Sequence, residues 1–423
     1  MRTLFLTLMM TILSFQMDAQ FDQYFFNKTL RFDFFHCGNS VTDEYYVDEL
    51  IEEPYWGGSH VNLIDSNFYG SNYVKMYDSE SGKLLYSRGY CTVFNEWQTV
   101  DEAKQTRRCC NESVVLPFPK KDVRIEILNR NKKGGFEKKF EYLVNTNSMF
   151  IKKEHEEIKT FEVSYSGNPA QKVDIVLLSE GYTSDQYEQF KNDCSKFASA
   201  LFTESPFKEN SAKFNIRGVW APSSETGVDI PGENIWKNTR LNASYYFFGL
   251  ERYQLTYDFK SVRDLASHVP YDHIYILSNS KKYGGGAIYN FYGLSASDNV
   301  KSSSKIYVHE FGHLFLGLAD EYVGVVAYNE FYPTNVEPWE PNITTLKNFD
   351  SKWKNKLAPG TPIPTPADSS YNHKLGVYEG GGYSAKGVYR PWINCMMNNL
   401  HNSKGFCPVC NEAINKMIDF YCK

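Results

Sequence analysis

An α+β fold in two parts is what this 423-residue sequence predicts, with a β-sandwich first and a mixed sheet with helices after it. Three observations carry that expectation. Period-two alternation broken by turn residues dominates up to about residue 155. Beyond it, continuous apolar runs of strand length alternate with segments of helical spacing. One of those segments, "SSSKIYVHEFGHLFLGLADEY", carries two histidines four residues apart.

The chain begins "MRTLFLTLMMTILSFQMDAQ", with Arg2 ahead of an apolar run over residues 4–15 and Ala19 near its end. This is the layout of a secretory signal peptide, and the run is too short to cross a bilayer. Residues 1–19 are expected to be removed on export, placing a protein with no integral membrane segment in the periplasm, at the cell surface or outside the cell. Residues 20–155 are expected to form the sandwich. "VKMYDSESGKLLYSRGY" bends at Gly82, and Val123, Ile125 and Ile127 alternate with charge before the turn signal "NRNKKGG". The 31 Tyr and 30 Phe suit a pleated surface. His36, Cys37 and His60 lie here without ligand spacing and read as ordinary core or surface residues.

Residues 156–423 change character. "KVDIVLLSEGYT" is a strand buried on both faces, and Tyr187, Phe190, Cys194, Phe197 and Leu201 mark the helix after it, capped near Ser184. "KFNIRGVWA" and "DHIYILSN" are further strands, separated by a long connection over residues 222–267 that reads as a surface insertion. The stretch over residues 357–370 is Pro-rich loop. Net charge is 45 minus 50, or −5, without a basic tract, so no nucleic-acid partner is expected.

His309 and His313 on one helix point the same way, about 40° apart around its axis. Two imidazoles so placed suit a zinc ion, and a catalytic zinc needs a third protein ligand and one open position. Asp320 is seven residues beyond His313, which on an unbroken helix is about 10 Å along the axis and out of reach. Gly317 removes the difficulty, since a helix stopped by a left-handed glycine turns the following residues back. Asp320 is the expected third ligand, with Glu321 as its rival on the same turn. Glu310 stands beside the ion as the general base that takes a proton from a zinc-held water and passes it to the departing amine.

H-E-F-G-H followed by G-L-A-D-E-Y resembles the M64 family of metallopeptidases, named for the IgA peptidase, and more broadly the metzincins. In the broader pattern the glycine falls three residues after the second His and the third ligand is His; here Gly317 is four residues on and the acid is Asp320. "VDIVLLSEGYT", "VYEGGGYSAKGVYRP" and "NCMMN" extend the likeness from Val173 to the end. The resemblance implies a metzincin-like catalytic domain holding one catalytic Zn2+, an N-terminal β-domain, and protein or peptide substrates. It implies a Met-turn in "CMMN", with Met397 as the apolar floor. It also gives "YGGGAIYN" the place of the substrate-pairing edge strand, at Gly285, Gly286 and Ala287, although the glycines read equally as a bulge or tight bend. Tyr383 and Tyr389 are candidate oxyanion donors for which packing is the plainer role, and Arg390 reads equally as a carboxylate binder or a structural pair.

The expected activity is therefore secreted zinc-dependent endopeptidase. Its rivals are a non-catalytic adhesion protein on the same scaffold and a zinc amidase acting on cell-wall peptides. Nine cysteines leave at least one unpaired. Cys395, Cys407, Cys410 and Cys422 cluster late, and "FCPVC" is half of a zinc-site pattern, but with no second C-x-x-C, disulfides or buried thiols are the expectation.

Overall fold

Alternation builds the first half. The computed structural model describes residues 20–153, 156–297, 303–324, 331–400 and 403–422, so the expected signal peptide lies outside the described residues. Eight strands come first: β1 (Phe25–Gly38), β2 (Asp43–Glu53), β3 (Asn72–Asp78), β4 (Leu84–Tyr90), β5 (Arg108–Pro119), β6 (Val123–Arg130), β7 (Phe136–Val144) and β8 (Ile151–Lys152). They form two four-stranded sheets, ordered β5-β1-β2-β8 and β4-β3-β6-β7. Every second residue of a strand faces one side, so Phe32 and Phe34 of one sheet meet Val74, Ile125 and Ile127 of the other in one buried core. Phe32 stacks on Tyr142 with ring centroids 5.3 Å apart. Cys37 and Cys109, directly opposite on β1 and β5, form a disulfide. His36 is buried between Asp43 and Glu112, at 3.0 and 3.1 Å.

The second half is built on a six-stranded sheet. Its strands are β9 (Lys159–Ser164), β10 (Val173–Glu180), β11 (Phe214–Trp220), β12 (His273–Ser278), β13 (Gly285–Ile288) and β14 (Tyr292–Ala296), ordered β13-β14-β12-β10-β11-β9. The four inner strands are parallel, and β13 and β9 run antiparallel along the two edges. β10 is buried throughout, as its apolar run requires. Val173, Ile175 and Leu177 join one core and Val176 and Leu178 another, because successive side chains alternate faces. A short helix, α1 (Val93–Trp97), belongs to the first half; α2 (Tyr187–Leu201), α4 (Ser303–Leu316) and α5 (Pro408–Cys422) contribute to the first of these cores, and α3 (Phe259–Ala266) to the second. Thr183 and Gln186 form the capping box ahead of α2, one residue before the serine expected there. A two-stranded ribbon, β15 (Tyr378–Gly381) and β16 (Ser384–Arg390), follows α4.

Residues 222–267 depart from the expected surface insertion. The buried carboxylate of Glu180, at the end of β10, accepts from Thr239 Oγ1 at 2.6 Å, Leu241 N–H at 2.9 Å and Ala243 N–H at 2.8 Å. Leu241, Ala243 and Tyr245 are thereby drawn onto the sheet and buried. The two halves also interlock, with Arg88 of β4 lying over the rings of Phe420 and Tyr421 at 4.4 and 4.7 Å. Cys91 N–H donates to Tyr289 O at 2.9 Å. The result is a mixed α+β protein whose N-terminal sheets meet α3 through Arg31 and Asp48, which pair with Asp264 and Lys260, as well as α5 and the residue after β13.

Candidate active site

Helix α4 turns Val308, Phe311, Leu314 and Phe315 into the core, which leaves Ile306, His309 and His313 on the face that lines the cleft. Of the serines that lead into the helix, residue 302 lies outside the described residues and the helix begins at Ser303. The two rings stand nearly perpendicular, at 88°, with their Nε2 atoms 3.1 Å apart. His309 Nδ1 is 3.2 Å from Met396 O, and His313 Nδ1 is bonded to Leu318 O. A carbonyl only accepts, so each Nδ1 carries the proton and each Nε2 presents a lone pair.

The helix stops as the glycine predicts. Gly317 has φ +67°, its N–H donates to His313 O at 2.8 Å, and Leu318 N–H reaches back to Gly312 O at 3.3 Å. Asn342 then clamps Ala319, accepting from its N–H and donating to its carbonyl, both at 2.8 Å. These bonds deliver Asp320 Oδ1 to 3.2 Å from His309 Nε2 and 3.4 Å from His313 Nε2. Its other oxygen accepts from the Tyr383 hydroxyl at 2.5 Å, and Gly382 N–H holds its carbonyl at 2.8 Å. Burial opposes charge on Asp320, but the two imidazoles, when protonated, outweigh it and hold the carboxyl well below the usual range.

This triangle suits a metal ion. Oδ1 of Asp320 is buried with no hydrogen-bond partner, and it faces two nitrogen lone pairs. One shared proton satisfies one pair of the three acceptors; a cation satisfies all of them. A tetrahedral zinc with bonds near 2.0–2.1 Å sets its donors about 3.3–3.4 Å apart, against the 3.1, 3.2 and 3.4 Å found here. The three donors line a cleft of about 1080 Å3, so one side of the triangle is open to a small ligand.

Glu310 lines the same cleft and is half-buried. Burial pushes its carboxyl up from the ordinary value, while His309 and His313 pull the other way. Its Cγ lies 3.4 Å from where a β-carbon on Gly285 would stand, which places β13 directly across from it. Gly285 is not an open pairing position, because its N–H donates to Arg252 O and its carbonyl accepts from Gln254 N–H, each at 3.2 Å. Gly286 faces the Tyr253 ring, 2.5 Å from an added β-carbon. Ala287, next along the outward row of β13, is half-exposed in the cleft.

Glu321 turns away from the imidazoles and is fully buried, with Asn342 Nδ2 donating to its Oε1 at 3.0 Å. The two methionines of "CMMN" divide their work. Met396 lines the cleft and its carbonyl orients His309, whereas Met397 packs its sulfur against α4 at Gly312 and its carbonyl accepts from Glu321 N–H at 2.8 Å. Tyr383 packs edge-on against Tyr322, with ring centroids 5.4 Å apart, as its plainer role expects, and its hydroxyl is directed at Asp320. Tyr389 pairs through its backbone with Thr344, and the Arg390 guanidinium serves the carbonyls of Glu379 and Gly380; neither lines the cleft. Asn342, Tyr283 and Tyr322 were not singled out from sequence. Asn342 carried one faint signal, an amide in "EPNITT" between two turn segments, and the tyrosines had none among so many others.

No curated protein matches this sequence. Among solved structures, one described as "Crystal Structure of a Thermostable Esterase" is 13% identical over 60% of this chain and 66% of that chain, with a TM-score of 0.17, too low to bear on fold or function. Residues 20–141 match the family described as Peptidase M64 N-terminus, and residues 161–371 and 367–418 match IgA Peptidase M64. The chain therefore belongs to the M64 peptidases, a family of peptide-bond hydrolases.

Proposed function

We propose that this chain is an exported zinc-dependent endopeptidase. The reading rests on one observation above all: two imidazole nitrogens and an orphaned carboxylate oxygen converge at the wall of a large cleft. His309, His313 and Asp320 hold the ion. Zinc bound there supplies a Lewis acid that lowers the pKa of a water and polarises a carbonyl. Glu310 takes the proton of the attacking water and returns it to the departing amine, a task suited to a carboxyl that burial has made more basic. The outward main chain at Ala287 orients an extended peptide by adding it as a strand, with Gly285 and Gly286 leaving room for Glu310 and Tyr253. Met397 and Met396 together form the apolar floor, as in a metzincin-like catalytic domain. In this reading residues 1–19 are the signal peptide, 20–155 the N-terminal sandwich and 156–423 the catalytic domain. No helix among the described residues is long and apolar enough to cross a membrane.

Mass-spectrometric mapping of new termini in a digested, denatured proteome tests the activity. Cleavage is expected from the zinc-loaded protein, and it is expected to vanish with a chelator. In Glu310→Gln it should fall by about 10²–10⁴-fold while the metal stays bound. Unchanged turnover in that variant removes Glu310 from the mechanism, and absence of cleavage with zinc bound favours an adhesion role.

A further inference from the structure

Behind Asp320 the chain assembles four donors that the first triangle does not use. Glu321, Cys395, Cys407 and Cys410 each present one donor atom, all within 4.8 Å of one another. Cys395 and Cys410 have their sulfurs 3.8 Å apart, Cys407 and Cys410 theirs 3.5 Å apart, and Glu321 Oε1 lies 3.5 Å from the Cys410 sulfur. Three remote segments meet here: the turn after Gly317, the loop that carries Met396 and Met397, and the start of α5. We propose that this cluster is a second metal site, a closed Cys3Glu centre that holds a structural zinc ion.

Spacing favours metal over disulfide. A disulfide needs sulfurs about 2.05 Å apart, and these cysteines are unbonded. A tetrahedral zinc with Zn–S near 2.3 Å sets sulfurs about 3.8 Å apart and sulfur and oxygen about 3.6 Å apart. Backbone donors are also aimed at the sulfurs, with Cys407 N–H 3.3 Å from the Cys395 sulfur and Cys410 N–H 3.5 Å from that of Cys407. Such N–H groups stabilise thiolates rather than thiols. Burial favours a shared cation: the four donor groups lie together with no member more than 2% exposed, and Glu321 Oε2 has no hydrogen-bond partner. Arg390, the nearby positive charge, gives its Nη1 to the carbonyls of Glu379 and Gly380 and makes no hydrogen bond to Glu321 among the described residues. All four positions come from protein and none lines the cleft, so the centre has no place for substrate. The missing second C-x-x-C is replaced by Cys395 and Glu321, which only the tertiary fold brings near.

Zinc stoichiometry and zinc-edge X-ray absorption of the full-length mature protein test this without measuring activity. The intact protein is expected to hold about two zinc ions per chain, and His309→Ala/His313→Ala to keep roughly one, bound mainly by sulfur near 2.3 Å. Cys407→Ser/Cys410→Ser is expected to lose the sulfur-bound ion. Because that variant can unfold, the decisive reading is made on the histidine variant once its folding is verified by circular dichroism. A folded histidine variant without sulfur-bound zinc overturns the proposal, as does a Cys407–Cys410 disulfide found in the unreduced protein.

Discussion

Two donor sets sit back to back around one turn, and they differ in what encloses them. His309, His313 and Asp320 stand at the wall of a cleft of about 1080 Å3. Glu321, Cys395, Cys407 and Cys410 lie sealed in the core that α4 and α5 share. Adjacent residues feed the two sets. The stretch after Gly317 runs beside residues 382 and 383, with Gly382 N–H to Asp320 O and Tyr383 N–H to Tyr322 O. On this stretch neighbouring side chains point apart: Asp320 Oδ1 meets the two histidines while Glu321 Oε1 meets the Cys410 sulfur. An open set suits chemistry and a closed one suits structure. The closed set also backs the open one, since Glu321 N–H holds Met397 O while Met396 O orients His309.

The largest expected effect separates the two acids. Asp320→Ala should lower zinc affinity at the open set by more than about 100-fold, beyond what loss of an outer partner costs, and abolish peptide turnover. Glu321→Ala should instead remove the sulfur-bound ion, read by elemental analysis and thermal unfolding. If Glu321→Ala is the variant that empties the histidine pair, the division between the sets is wrong. Gly317→Ala attacks the turn that serves both. Its φ of +67° disfavours a side chain, and an added β-carbon would stand 2.3 Å from the Trp339 ring. A loss of about 2–4 kcal/mol is expected from strain and overlap together, measured by denaturant unfolding. Full stability in that variant would show that the turn tolerates rearrangement. Tyr383→Phe sharpens the comparison most gently. Losing the hydroxyl bond to Asp320 should weaken zinc at the open set by about 10–100-fold, seen in chelator competition, and leave the sulfur-bound ion in place.

Local physics made part of this protein legible in its residues alone. Helical rotation places His309 and His313 on one side whatever surrounds them, and a glycine after Leu316 ends the helix because only glycine takes a left-handed turn without penalty. The apolar run at β10 and the alternation at β6 likewise declare which faces are buried. Long-range packing decided the rest. Choosing Asp320 over Glu321 needs Asn342 and the ribbon turn at Gly382, which lie far along the chain. Tyr383 finds Asp320 across the chain and Arg390 finds the carbonyls of Glu379 and Gly380 within the β-ribbon, and no spacing foretells which carbonyl or carboxylate an exposed-looking polar side chain meets. Residues 222–267 look like surface until Glu180, buried by the sheet, demands donors from them. Cys395, Cys407 and Cys410 read as late cysteines of unassigned pairing until the start of α5 docks against the loop that carries Cys395. Periodicity is written in neighbouring residues, whereas convergence of donors depends on how whole elements dock, and docking is settled by burial summed over the chain.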